Sequence, residues 1–402
     1  MKLTIAFLLV ATASIASAST SIQLGSLRER TDDLEKDSND GSNASTTTAA
    51  TTSTMKKLRV RQLQGKQKKA GKPKKRKKGK SSKSTVDYWK MADLHASAKP
   101  YAIGHRGFGA TKDSGGVLGG IPSENTIDSV LAAFDIGASV VEIDVVLTAD
   151  GNVFVDHNDY LADFSCINQM TTDDLKQVLP ESTTLFKLLK KVRHYARGGN
   201  TDQDPSGLVI IEVKTPSPLC DPNDDTEEEL MKAVVSDIQK ARMTEQVEID
   251  SFSPALLVLA NSLAPEIPRG LLMGAIQFLT PEQVEAETGL KVTLIEKEDN
   301  LGLQWAEIGG LFRLPGYASL EQFVSTAANT TIVATTVSID KLVLGQAGES
   351  GAGFVAGLQS QGFTVHGWTV QLTSEWIFLQ QLGVDGIITD LLAEGIDLQA
   401  AN

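Results

Sequence analysis

The chain has 402 residues, 41% of them hydrophobic, with 38 basic and 50 acidic side chains and a formal charge of −12. That is enough chain for one large domain or two ordinary ones around a real core. Residues 56–83 carry 15 Lys and Arg and no acid, which leaves 44 acidic against 19 basic residues from 84 to 402. A folded part this negative excludes nucleic-acid binding by its own surface.

Residues 1–18, MKLTIAFLLVATASIASA, join an early Lys to a short apolar run and a small-x-small ending. This is the pattern of a cleaved signal peptide, and it predicts a secreted or cell-surface protein. Residues 19–87 pass from an acidic patch through a Ser/Thr-rich stretch to the basic run, and none of it buries enough apolar surface to fold. We read it as a disordered linker. Its basic run at 56–83 serves either as a solvated tether or as a contact to a polyanion or the cell surface.

From residue 88 to 402 short β-rich runs alternate with helical patterns. YAIGH (101–105) reads as a strand, and SENTIDSVLAAFDIGA as a helix capped by Ser123. SVVEIDVVLT and VFVDH flank the Asp150-Gly151 turn as a hairpin. GLVIIEVK, VEIDSF, RGLLMG, TIVATTVSI, FTVHGWTV and DGIITD follow as strands separated by helices, SPALLVLANSLA with a Ser cap and an early Pro among them. The stretch 280–328 has no clear period. Eight β-then-α repeats, with strands apolar on both faces and no Gly-rich dinucleotide loop, predict a (β/α)8 barrel of the TIM type preceded by a disordered tail.

In such a barrel the chemistry sits at the carboxyl ends of the strands, and the unusual polar residues fall there. Strand 1 ends in His105-Arg106-Gly107, and the hairpin ends in His157. Glu212 and Lys214 close the next strand, and Trp368 and Asp390 end the last two. Glu142 and Asp144 interrupt an apolar strand two residues apart, so they share one face. With Glu212 they make three carboxylates at one mouth, a set that suits a hard divalent ion, Ca²⁺ or Mg²⁺. His105 and His157 supply an acid/base pair, and Arg106 and Lys214 supply positive charge for a phosphate. Singly, each feature is common in a purely structural role. Their placement on successive strand ends points to metal-assisted phosphodiester chemistry.

At these residues the chain resembles the glycerophosphodiester phosphodiesterase family. The likeness runs through HRG (105–107), SENT (123–126), GASVVEIDVVLTADGNVFVDHND, IIEVK (210–214), DSF (250–252), GWTV (367–370) and GVDGIITD (383–390), in family order. The resemblance implies hydrolysis of a glycerophosphodiester, a small-molecule substrate, to an alcohol and glycerol phosphate. It further implies Glu142, Asp144 and Glu212 as metal ligands, His105 and His157 as acid and base in an order left open, Arg106 and Lys214 on the phosphate, and Trp368 as a pocket wall. Departures from the family pattern are His157-Asn158-Asp159 for His-Asp, Gln371 for Asn, Leu391 after Thr389-Asp390, and a short connection from His157 to Thr183.

Cys166 and Cys220 follow His157 and Glu212 at similar distances, which places both on loops above the mouth. A disulfide between them pins two lids, and two separate thiols are the alternative. Two further functions are weighed against the first. A phospholipase D or C acting on intact lipid asks for an apolar rim, and NDYLADFSCINQMTTDD offers little of one. A non-catalytic protein attached by its basic tail asks for damaged catalytic positions, and all seven are present.

Overall fold

The computed structural model describes residues 90–95, 100–111, 122–198, 207–297, 301–346 and 351–401. The leader at 1–18, the linker at 19–87 and its basic run lie outside the described residues. The chain begins α1 (Met91–His95), β1 (Tyr101–Gly104), α2 (Ile127–Asp135), β2 (Val140–Leu147), β3 (Val153–Val155), α3 (Thr172–Val178), α4 (Leu185–Gly198), β4 (Leu208–Val213). It continues α5 (Glu227–Ala241), β5 (Val247–Ser251), α6 (Pro254–Leu263), β6 (Arg269–Met273), α7 (Pro281–Thr288), β7 (Val292–Ile295), β8 (Gln304–Ile308), β9 (Phe312–Gly316). The last part is α8 (Leu320–Ala327), β10 (Thr336–Asp340), α9 (Lys341–Gln346), α10 (Gly351–Ser360), β11 (Thr364–Val370), α11 (Thr373–Leu382), β12 (Gly386–Thr389) and α12 (Leu392–Ala400).

Strand β1 pairs with both β2 and β12, so the parallel series β1, β2, β4, β5, β6, β10, β11, β12 closes on itself as the expected eight-stranded barrel. Side chains alternate along each strand. Val141, Ile143, Val209, Ile211, Ile249, Leu271 and Val337 pack outward with the helices. Tyr101, Ile103, Val140, Leu208, Ile210 and Ile388 pack inward around Met91 and Leu94. Because Tyr101, Val140 and Leu208 begin their strands, α1 is the plug at the amino-terminal end of the barrel. Among the described residues no helix is long and apolar enough to cross a membrane.

Ser253 caps α6 through Leu256 N with Pro254 in the first turn, as expected. Ser123 does not cap α2. Thr126 does, accepting from Ser129 N, because Asn125 adopts φ 56° and turns the SENT stretch into a loop before the helix starts. The strand expected at 331–339 begins only at Thr336: Arg269 donates to the carbonyls of Ile332 and Val333 and holds that segment out of the sheet.

The stretch without a period holds a separate three-stranded antiparallel sheet, β7, β8 and β9. Its anchor is ionic. Arg313, 1% exposed, meets Asp224 at 2.8 Å and Glu307 at 2.9 Å and donates to the carbonyl of Asp221. Lys297 lies 2.6 Å from both Asp224 and Glu227, with its Nζ over Trp305. These contacts tie the small sheet to the loop between β4 and α5. Replacing Arg313 by Met removes the shared cation from partners that keep some solvent. We expect a loss of about 1.5–3 kcal/mol in urea unfolding, and an unchanged midpoint would show that the anchor contributes nothing.

Candidate active site

The parallel register sets the site. Asp144 lies opposite Glu212, and Glu212 opposite Asp250, so three acids stand in one row across β2, β4 and β5. Glu142 sits one inward position below Asp144. Carboxylate oxygens of Glu142, Asp144 and Glu212 lie within 4.8 Å of one another. Such a group needs compensation. Lys214 Nζ supplies part of it, 2.8 Å from Asp144 and 2.5 Å from Glu212. Arg106 Nε is 3.5 Å from Asp144, while its Nη1 bonds Glu124 at 2.8 Å.

The loop after β1 delivers these groups. Arg106 has φ 52°, a conformation that costs energy in a non-glycine residue, and it turns the backbone so that Arg106 N donates to Glu142 Oε2 at 3.0 Å. Gly107, at φ 98°, then packs on α2, where a Cβ would lie 2.5 Å from Ser129 Oγ. Asn125, also left-handed, donates to Asp144 Oδ2 and accepts from Asp144 N. SENT is therefore a support for the acids.

Each histidine has its own partner. His105 Nδ1 is 2.7 Å from Asp390 Oδ1, and Asp390 is itself held by Ala110 N and Gln371 Nε2. His157 Nδ1 is 3.0 Å from Asn158 Oδ1. Asp159 does not orient His157; it accepts from Ser217 N on the opposite loop. A neutral amide, not a carboxylate, thus faces His157 Nδ1, and Gln371 grips Asp390.

These surroundings separate the two imidazoles. Burial opposes charge on His105, yet Asp390 outweighs it and raises its pKa above the ordinary value. For His157, burial and the charges of Arg106 and Lys214 act together and push the pKa well below it. Burial and the neighbouring Asp144 push Glu142 up to about 8. Asp144 is held far below the usual carboxylate range: burial opposes this, but Lys214, His157 and Arg106 prevail.

A cavity of about 630 Å³ opens over these residues and includes all seven expected polar groups and Trp368. Trp368 stands edge-on to Phe252 at 5.8 Å, as a wall. Cys166 and Cys220 form the disulfide, and Asn168 donates to the carbonyl of Cys220 beside it. The rim differs from the sequence reading. Tyr160, Leu161 and Phe164 line it from the stretch read as polar, and Leu311, Phe312 and Leu314 reach it from the small sheet. In the sequence these apolar residues are scattered among polar ones, and nothing there shows that β9 returns to the mouth.

The acids fit a divalent ion. Glu142 Oε1 is buried without a hydrogen-bond donor, and the three-carboxylate set is the oxygen ligation that Ca²⁺ and Mg²⁺ prefer.

A parallel eight-stranded barrel with acids, two imidazoles and two cations at its carboxyl mouth defines a hydrolase of phosphoric esters. The model of the glycerophosphoryl diester phosphodiesterase family matches residues 105–394, and the chain belongs to that family of phosphoric diester hydrolases. Solved structures share the fold at low identity. One from Silicibacter pomeroyi, assigned to the same family, is 21% identical with a TM-score of 0.54, covering 76% of this chain and 94% of its own. A phosphodiesterase from Oleispira antarctica in complex with the product sn-glycerol-3-phosphate is 20% identical with a TM-score of 0.51, covering 77% and 99%. A glycerophosphodiester phosphodiesterase from Parabacteroides distasonis is 19% identical with a TM-score of 0.51, covering 76% and 98%. No curated protein matches the chain.

The raised pKa of Glu142 predicts how the metal-free protein responds to pH. Between about 4.5, its ordinary value, and about 8 the folded state binds more protons than the unfolded state, so this group's contribution to stability falls as pH rises. Glu142→Gln is expected to flatten the decline, as read from urea unfolding in chelator across that window. Parallel wild-type and variant profiles would assign the decline to other groups.

Proposed function

We propose that this protein is a secreted, metal-dependent phosphodiesterase that cleaves glycerophosphodiesters to an alcohol and glycerol phosphate. The single observation that carries the reading is the cluster of Glu142, Asp144 and Glu212 flanked by two histidines of opposite electrostatic bias. A Ca²⁺ or Mg²⁺ ion held by those acids would neutralise charge on the phosphate. The Oleispira antarctica phosphodiesterase is in complex with the product sn-glycerol-3-phosphate, and a diester of glycerol phosphate is the substrate class we assign to this chain.

His157, kept neutral and donating Nδ1–H to Asn158, presents its Nε2 lone pair and is the general base toward a glycerol hydroxyl. His105, kept protonated by Asp390, is the acid that gives a proton to the leaving alcohol. Arg106 and Lys214, now paired with carboxylates, turn to the phosphate oxygens. Secretion is supported by residues 1–18 and by the disulfide, which belongs to an oxidising compartment.

Purified full chain with glycerophosphocholine should release glycerol phosphate, stop in chelator, and recover with Ca²⁺ or Mg²⁺. Glu142→Ala should lose on the order of 10²–10³-fold in kcat. A rate indifferent to chelator sinks the metal role. The acid/base order predicts activity that rises with pH as His157 loses its proton and falls as His105 loses its own. Asp390→Asn removes the influence that raises His105, so the alkaline limb should move to lower pH. A shift of the acidic limb instead would reverse the assignment.

The apolar rim favours a second reading, in which the glycerol of the substrate carries an acyl chain. Phe312→Ala would then raise KM for a monoacyl glycerophospholipid and leave that for glycerophosphocholine unchanged. Equal effects on both would limit the rim to a structural role.

A further inference from the structure

A second group of side chains of metal-ligating type lies inside the barrel, next to the three acids of the mouth, with Asp250 the register partner of Glu212. Glu248 and Asp250 are inward positions of β5, and His366 is an inward position of β11; they are 0%, 1% and 0% exposed. One ligand atom from each lies within 4.8 Å of the others. His95, at the end of the α1 plug, adds a fourth donor: its Nε2 is 3.5 Å from Glu248 Oε2, and its ring centroid is 6.3 Å from that of His366.

What these carboxylates lack is a donor. Glu248 Oε1, Asp250 Oδ1 and Asp250 Oδ2 are buried, and among the described residues no amide, hydroxyl or ammonium donor reaches them. They are satisfied either by a proton shared between the two carboxyls, which burial and Glu248 favour by raising the pKa of Asp250, or by a cation. Glu248 Oε2 accepts from Thr336 Oγ1 at 2.8 Å. Leaving buried carboxylate oxygens without donors is among the costlier arrangements in a protein interior. The fold nonetheless keeps room for them: a Cβ on Gly270, the register partner of Asp250, would sit 2.2 Å from its Oδ1. His366 is fixed from behind by Tyr101 Oη at 2.7 Å from Nε2. Asp250 also forms part of the wall of the mouth cavity, so an ion has a way in.

We propose that Glu248, Asp250 and His366, with His95, form a second cation site that holds one divalent transition-metal ion, Zn²⁺ or Mn²⁺. The donor chemistry separates the two sites. Carboxylates alone at the mouth suit Ca²⁺ or Mg²⁺, whereas two imidazoles with two carboxylates suit the softer ions, with Zn²⁺ above Mn²⁺ in affinity. The ion replaces missing donors and joins the plug to β5 and β11, so its role is to hold the barrel closed.

The test uses the full chain, stripped with chelator and dialysed against Zn²⁺ in excess Mg²⁺, with bound zinc measured by plasma mass spectrometry. One zinc per chain is expected in the wild type and in Glu142→Gln, and a loss of at least tenfold in retained zinc in Asp250→Asn and His366→Gln. No zinc in the wild type means that a shared proton or water satisfies the cluster, and overturns the proposal. Zinc lost in Glu142→Gln, or kept in both Asp250→Asn and His366→Gln, places the ion elsewhere and overturns it too. Should the interior variants fail to fold, anomalous scattering from zinc-loaded wild-type crystals decides: a peak between Glu248, Asp250 and His366 supports the site, and zinc confined to other positions refutes it.

Discussion

The parallel register of β2, β4 and β5 forces acidic side chains into adjacent inward positions, and the rest of the site is built to live with that. Two unit charges about 4 Å apart repel by roughly 4 kcal/mol even at an effective dielectric near 20. Three carboxylates at the mouth therefore need compensation from several directions. Lys214 comes from the end of β4, Arg106 and its backbone N–H from the end of β1, and Asn125 from the loop before α2. The left-handed backbone at Arg106 and Asn125 follows from the same need, since each residue must turn back toward the acids. The two cations and the strained loops here answer one electrostatic problem.

That problem was legible in the sequence because a period of two is unambiguous. Glu142 and Asp144 inside an apolar run fix their shared face without any knowledge of the partner strands, and strand-end placement then collects His105, His157, Glu212 and Lys214. What was not legible depends on contacts between distant segments. The pairing of Asp390 with His105 joins residues 285 apart in sequence. The cap at Thr126 is decided by Asn125 reaching Asp144, a tertiary demand that overrides the local preference for Ser123. The small sheet escaped because β7 has no buried face of its own and is held through Lys297 and Arg313, whose charges read locally as solvated surface.

The mouth is framed by two attachments of different chemistry. A covalent bridge joins the loop after β3 to the loop after β4, and Asp159 reinforces it by binding Ser217 N. On the same β4–α5 loop an ion-pair cluster fixes β9. Both set apolar side chains around a charged floor. The arrangement suits a substrate with one anionic centre and a less polar arm. Charge at the strand ends and apolar surface on the loops are thus carried by different parts of the molecule.

Polarity inside the barrel changes in layers. At the amino-terminal end Met91 and Leu94 close an apolar layer with Val140 and Leu208, as an ordinary packed barrel would. Above it, on β5, β10 and β11, the inward positions become Glu248, Asp250, Thr336, Ser338 and His366, all buried. An interior of this kind is expensive unless it does something. Hydrogen bonding explains part of it, through Tyr101 to His366 and Thr336 to Glu248. It does not explain Asp250, whose neighbour Gly270 leaves space for the carboxylate although an apolar pair would fill the same volume at less cost. A cation bound there would turn the most unfavourable layer of the barrel into a cross-link between strands, and the charged row at the mouth would then rest on a floor that is neutralised as well.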